Sequence, residues 1–186
     1  MRKLRSDIER FYSLAGDVKP VSTIRLFTSC FHPRIFPVVL IRLAEFFHKH
    51  RIAPLHKMCA VLNVVLFGLE VSPRVKIGGG LFLPHTVGTV IGAEEIGECV
   101  TIMQGVTLGA KEPDMQFTGA ARPVVGNHVT IGAGAKVIGR VIIGDYAKIG
   151  ANAVVLHDVP PYAVAVGVPA RIVKQKQFVD NSIEDS

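Results

Sequence analysis

Two hydrophobic rhythms divide the chain. From residue 71 onward an aliphatic side chain returns every six positions, most regularly as Val125, Ile131, Val137, Ile143, Ile149 and Val155. Four residues after each stands a second apolar position, held by Val129, Ala135, Val141, Ala147, Ala153 and Val159. Gly126, Gly132, Gly144 and Gly150 follow four of the six aliphatics directly. An earlier run obeys the same rule in Val71, Ile77 and Leu83, and then in Ile96, Ile102 and Leu108 after a one-residue slip. Neither a helical period of 3.6 nor a strand period of 2 generates this spacing. A triangular parallel β-helix does, with short strands as sides, turns as corners and about 18 residues per coil. The first aliphatic of each hexad then points inward and stacks on its equivalent one coil away. The narrow interior asks for a small or β-branched residue at the other inward position, and glycine beside the aliphatic admits the corner geometry. Stacked neighbours bury a core that no single coil could bury.

Residues 1–70 follow a helical pattern instead. Ser6-Asp-Ile-Glu9 has the Ser-x-x-Glu form of an N-terminal capping box. Between Pro37 and Lys49, the apolar Val39, Ile41, Leu43, Phe46 and Phe47 alternate with charged residues as a buried stripe would. Pro54 punctuates, and Leu55 to Phe67 reads as a second, more apolar helix. The expected organisation is a helical region over 1–70, a β-helix over 71–173 and a tail over 174–186. The helical region suits a cap or an oligomerisation element. Its surplus of arginine and lysine beside apolar positions also suits peripheral contact with an anionic membrane face. The apolar stretch Ile52–Leu69 is too short, and too interrupted by His56, Lys57 and Asn63, to read as a span.

Composition narrows the function classes. With 49% hydrophobic and 19% charged residues over 186 positions, the chain reads as a folded soluble protein. A net charge of +6 suits anionic cofactors or lipids, and no nucleic-acid-binding motif accompanies it. Three unpaired cysteines (Cys30, Cys59, Cys99) predict neither a disulfide framework nor a zinc knuckle. Without the apolar core of a signal peptide near Met1, a cytoplasmic location is the expectation.

The hexads, the closing segment Val166-Gly-Val-Pro-Ala-Arg-Ile-Val173, and the stretches Gly80–Gly92, Gln104–Gly109 and Ile131–Gly139 resemble the hexapeptide-repeat acyltransferases, in particular their serine acetyltransferase branch. The resemblance implies a mainly β fold, a left-handed parallel β-helix behind a short α-helical region. It further implies acetyl-CoA as co-substrate, transfer of acetyl to a hydroxyl, and assembly as a homotrimer or a hexamer. Several departures separate the chain from the serine enzymes, among them a smaller helical region and an ending in Ile183-Glu-Asp-Ser186 where they often end in isoleucine. Pro84 precedes His85 where they carry aspartate, Arg122-Pro123 replaces a histidine-proline pair, and the loop Ala110–Ala121 is longer. Glu70, fifteen positions before His85, replaces an aspartate. These departures favour relatives that acetylate sugars in polysaccharide synthesis, of the colanic acid acetyltransferase type, with serine O-acetylation as the alternative. A non-catalytic β-helix scaffold is the rival from another class, and an outward His85 argues against it.

The same resemblance assigns the chemistry. A hydroxyl attacking a thioester must lose its proton as it attacks, and a histidine can take that proton and pass it to the departing thiolate. His85 is the expected base and Glu70 its orienting partner, unless Glu70 is simply a solvated acid. Arg122 is a candidate for an acceptor carboxylate or phosphate, or else pairs with Glu112 or Asp114. Backbone at Ala133 and Ala151 is expected to line the pantetheine arm, with Ala110 and Lys111 near the thiol. Lys148, Arg171 and Lys174 are candidates for phosphate contact or an ordinary charged face. His85, His128 and His157 lack the close histidine pair of a zinc site, so no metal is expected.

Overall fold

A computed structural model describes residues 2–17 and 19–175. Four helices lead: α1 (Arg2–Leu14), α2 (Thr23–Ser29), α3 (Phe36–Lys49) and α4 (Ala53–Phe67). Then come β1 (Leu69–Val71), β2 (Lys76–Ile77), β3 (Thr89–Ile91), β4 (Glu95–Ile96), β5 (Thr101–Ile102), β6 (Thr107–Gly109) and β7 (Val124–Val125). The chain continues through β8 (Thr130–Ile131), β9 (Lys136–Ile138), β10 (Ile142–Ile143), β11 (Lys148–Ile149), β12 (Val154–Val155), β13 (Ala163–Val166) and β14 (Arg171–Gln175). The strands form three faces of a prism. The first is β1-β3-β6-β9-β12, the second β2-β4-β7-β10 and the third β5-β8-β11-β13, all parallel, with β14 returning antiparallel on β13. A bridge from Phe82 to Thr101 carries the third face into the first coil.

The pairing explains the six-residue rhythm. Ile96 aligns with Val125 and Ile143, Ile102 with Ile131 and Ile149, and Leu108 with Val137, and all are buried. The small position is filled by Ala135, Ala147 and Ala153, each fully enclosed. Glycine after the aliphatic has a different cause from the corner geometry expected of it. A Cβ on Gly132 would lie 2.6 Å from the Ala151 amide nitrogen of the next coil, so close approach between coils excludes a side chain. The left-handed corners fall elsewhere: Gly88, Gly105, Gly134 and Asn152 form one column, and Cys99, His128, Tyr146 and Tyr162 another. In the second column the His128, Tyr146 and Tyr162 rings stack at centroid spacings of 4.6 and 4.8 Å, within 5° of parallel.

The one-residue slip resolves into two opposite changes. Leu83 and Ile91 are eight positions apart, whereas Ile102 and Leu108, which occupy the same places one coil on, are six apart. Ile91 and Ile96 are then only five apart, against six for Val137 and Ile143. Two residues are gained at one corner and one is lost at the next.

The helices depart from expectation in four respects. Ser6 lies within α1 and not at its cap, and Asp7 beside it is buried. Leu43 and Phe46 face outward while Arg42 faces in, because the buried side of α3 runs through Val38, Val39, Ile41 and Arg42. Pro54 sits in the first turn of α4 instead of interrupting it, a position where its missing N–H is tolerated. The short α2 had no signal in the pattern. The tail beyond residue 175, including Ile183–Ser186, lies outside the described residues.

The helices close the first coil. Val38 and Ile41 enter the prism core. Arg42 donates to both Asp7 carboxylate oxygens at 2.8 and 3.0 Å, to Glu45, and to the Ile77 and Gly78 carbonyls. Asp7 also accepts the Leu81 N–H at 2.8 Å. Burial pulls the Arg42 guanidinium down, but the hydrogen bonds and charges of Asp7 and Glu45 outweigh that and hold it above its ordinary value. Arg42→Ala should therefore lower the unfolding free energy by about 3–5 kcal/mol, since it strands a buried carboxylate. Glu9→Ala, which removes an exposed pair with Arg5, should change it by less than about 1 kcal/mol. Urea unfolding followed by circular dichroism measures both, and similar values would refute a special role for the buried pair.

Candidate active site

His85 occupies the two-residue insertion. Leu83 before it and Ile91 after it are locked into the prism, so Pro84 and His85 must leave the ladder, and His85 is exposed. The segment is anchored from below by the C-terminus of α4. Thr86 Oγ1 donates to the Phe67 carbonyl at 2.9 Å and the Gly88 N–H to the Gly68 carbonyl at 2.9 Å. Gly68 adopts the left-handed conformation that ends the helix, with φ 59°. The imidazole has no hydrogen bond among the described residues.

The edge between the third and first faces continues upward from His85. Gly105 donates its N–H to Val87, Gly134 to Gln104, and Asn152 to Ala133. His85, Gln104, Ala133 and Ala151 are thereby brought to one edge in successive coils. At the ~4.8 Å spacing of paired strands, His85 and Ala151 are three coils, or about 14 Å, apart along it. Lys148 and Lys174 flank Val164 in one row of the third face, close to that edge, and Arg171 opposes Val166.

The first face presents Glu70 outward beside Val90, which is followed in the same row by Thr107 and Lys136. Glu70 also lines a cleft of about 310 Å³ with Val90, Met115, Phe117 and Arg122. His85 stands at the neighbouring edge, outside this cleft, and no hydrogen bond or ion pair joins it to Glu70.

The loop Ala110–Ala121 leaves the first face after β6 and covers part of that cleft. Arg122 holds it down: Nη1 donates to the Gly92 carbonyl, Nη2 to the Asp114 carbonyl and carboxylate, and the guanidinium lies 3.9 Å over the Phe117 ring. Arg122 is buried, and its Nε has no partner. Its planar fork is thus engaged mainly with the loop. Ala110 and Lys111 begin the same excursion beside Gly139, at the far edge of the first face from His85. Within one protomer they do not join Ala133 and Ala151. One residue of the site carried no signal in the pattern, Thr86, because it acts through a contact nineteen positions away in sequence, whereas the Arg122–Asp114 pair matches one of the two expectations for that arginine. His128 stacks in its aromatic column, and among the described residues no cluster of three His, Cys, Asp or Glu side chains could hold a metal ion.

Comparison with known proteins fits this geometry. A family profile, bacterial transferase hexapeptide (six repeats), matches residues 122–157. The serine acetyltransferase of Helicobacter pylori strain J99 is 44% identical over 143 residues, covering 76% of this chain and 82% of the relative. A serine acetyltransferase solved in complex with CoA superposes with a TM-score of 0.78 at 34% identity, covering 92% of this chain and 68% of that one. The soybean serine acetyltransferase complexed with serine gives 0.77 at 30%, covering 92% and 68%. These relatives displace the saccharide preference drawn from Pro84, Glu70, Arg122 and the longer loop.

Loop closure should depend on pH. Burial raises the Asp114 carboxyl, but the Thr118 N–H and the Arg122 guanidinium outweigh it and hold it below the usual aspartate range. A depressed folded value contributes stability above the unfolded value, near 3.9, that is lost as pH falls through the folded one. Amide exchange at Gln116 and Thr118 should therefore accelerate, relative to the prism strands, below about pH 4. Asp114→Asn should show the faster exchange already at pH 7, and unchanged protection in that variant would exclude the latch.

Proposed function

The chain belongs to the serine acetyltransferase family of hexapeptide-repeat transferases, and from that premise we propose that it moves an acetyl group from acetyl-CoA to the hydroxyl of free serine. Its membership makes it an acetyl-CoA-dependent acetyltransferase. The choice of serine is supported by the 44% identity to a serine enzyme of which 82% is covered. A solved neighbour carrying serine and another carrying CoA support both substrates.

His85 acts as the base. Its neutral imidazole takes the proton from the serine hydroxyl as the oxygen attacks the thioester carbonyl carbon. The tetrahedral oxyanion collapses, the carbon–sulfur bond breaks, and the imidazolium returns the proton to the CoA thiolate. O-acetylserine and CoA leave, and the histidine is neutral again. Glu70 is assigned as the partner that orients the ring and stabilises its charged form, through a contact that tightens when substrates bind. Arg122 serves the acceptor side by holding the 110–121 loop against the first face.

CoA is assigned to the edge above His85, its pantetheine arm against backbone at Ala133 and Ala151 and its phosphates toward Lys148, Arg171 and Lys174. Ala110 and Lys111 stand at the opposite edge of the first face. A neighbouring protomer that sets this edge against the first would bring both sets to one thiol. We therefore take the assembly as a cyclic trimer of left-handed prisms whose grooves have walls from two subunits.

With acetyl-CoA saturating, serine should be turned over far more efficiently than any member of a panel of sugars and oligosaccharides. His85→Ala should lower kcat/KM for serine by about 10²–10⁴ with the fold intact. Glu70→Gln should reduce kcat more than it raises KM. Serine turnover no better than that of the sugars would return the acceptor to the saccharide reading. Equal, negligible rates with and without His85 would favour the inert scaffold.

A further inference from the structure

The solvent side of α4 is apolar. Met58, Val61, Val65 and Leu66 are 51, 60, 72 and 57% exposed, and Lys57 is the one charged residue of the helix. A folded surface helix ordinarily turns polar side chains to water, so this face requires an occupant.

Charge identifies the occupant. Residues 1–67 contain eleven Lys and Arg against four Asp and Glu, a net of +7, so the remainder of the +6 chain carries −1. All four acids are paired: Asp7 with Arg42, Glu9 with Arg5, Asp17 with Arg25, and Glu45 with Lys3 and Arg42. The uncompensated cations nearest α4 gather at its N-terminal end, where Lys49, Arg51 and Lys57 are all exposed. A face combining exposed aliphatics with surplus cations matches the boundary between anionic headgroups and acyl chains. Among the described residues no helix is long and apolar enough to cross a membrane, so contact is lateral.

We propose that the protein docks peripherally on an anionic lipid bilayer through the apolar face of α4, with Lys49, Arg51 and Lys57 engaging the headgroups. The face is continuous with the catalytic corner, because Gly68 at the end of α4 packs against Val87, itself 72% exposed.

Flotation of the full chain with phosphatidylcholine vesicles, with and without phosphatidylglycerol, tests the proposal without reading activity. The protein should float with the phosphatidylglycerol vesicles alone, and less so as salt rises. Val61→Glu with Val65→Glu should reduce partitioning roughly tenfold, and Lys49→Ser with Arg51→Ser and Lys57→Ser by at least as much. Both variants should keep the parental melting curve, as their side chains point to solvent. Absence of flotation, or flotation indifferent to both sets, overturns the proposal. So does a change in sedimenting size of the Val61, Val65 variant without vesicles, which would make the face a contact between copies.

Discussion

A stack of parallel coils ends in a rim whose backbone groups have no coil to pair with, and such a rim invites association with any other strand. Here Asp7 and Arg42 close it from inside the protein. One carboxylate and one guanidinium, both buried, take the Leu81 N–H and the Ile77 and Gly78 carbonyls that a further coil would have engaged. Arg10 extends the seal, donating to the Gly80 and Val100 carbonyls and the Thr101 hydroxyl. An ion pair in this place contributes more to specificity than to net stability, because aliphatics could fill the volume but could not satisfy the backbone. The helical layer is thereby fixed in orientation, and the end of α4 is held where Phe67 and Gly68 anchor the segment after His85.

The prism was legible because its rule is local and repeated. Val125 predicts Ile131, and each inward aliphatic reports its neighbour one coil away. The helical layer repeats nothing, so single positions misled. Arg42 reads as a solvent residue and is buried, since its partner Asp7 lies thirty-five positions away. Leu43 and Phe46 read as core and face water. Ser6 reads as a cap only if α1 starts there, whereas the helix begins four residues earlier.

The site was legible to the same uneven extent. His85, Ala133 and Ala151 share an edge because hexad counting places them at equivalent corners. The slip between Leu83 and Ile96 registered in the sequence as one residue and concealed a gain of two and a loss of one. Counting hexads conserves only the sum, so the protrusion that frees His85 became visible only once Ile91 was aligned with Leu108. Arg122 admits two readings from the sequence, a ligand for the acceptor or a partner of Glu112 or Asp114, and its hydrogen bonds go largely to Asp114 and Gly92. A guanidinium serves either purpose, and the choice depends on where a twelve-residue excursion comes to rest.

The Pro84–His85 protrusion belongs to no rung of the prism. Substitution or lengthening there leaves Leu83 and Ile91 in phase with the coils above, so inheritance can alter reactivity without disturbing the stacking that carries it. Positions on the rungs have no such latitude, because each is answerable to the coils on both sides. Novelty in this architecture is therefore expected to accumulate at its corners while its flat sides stay still.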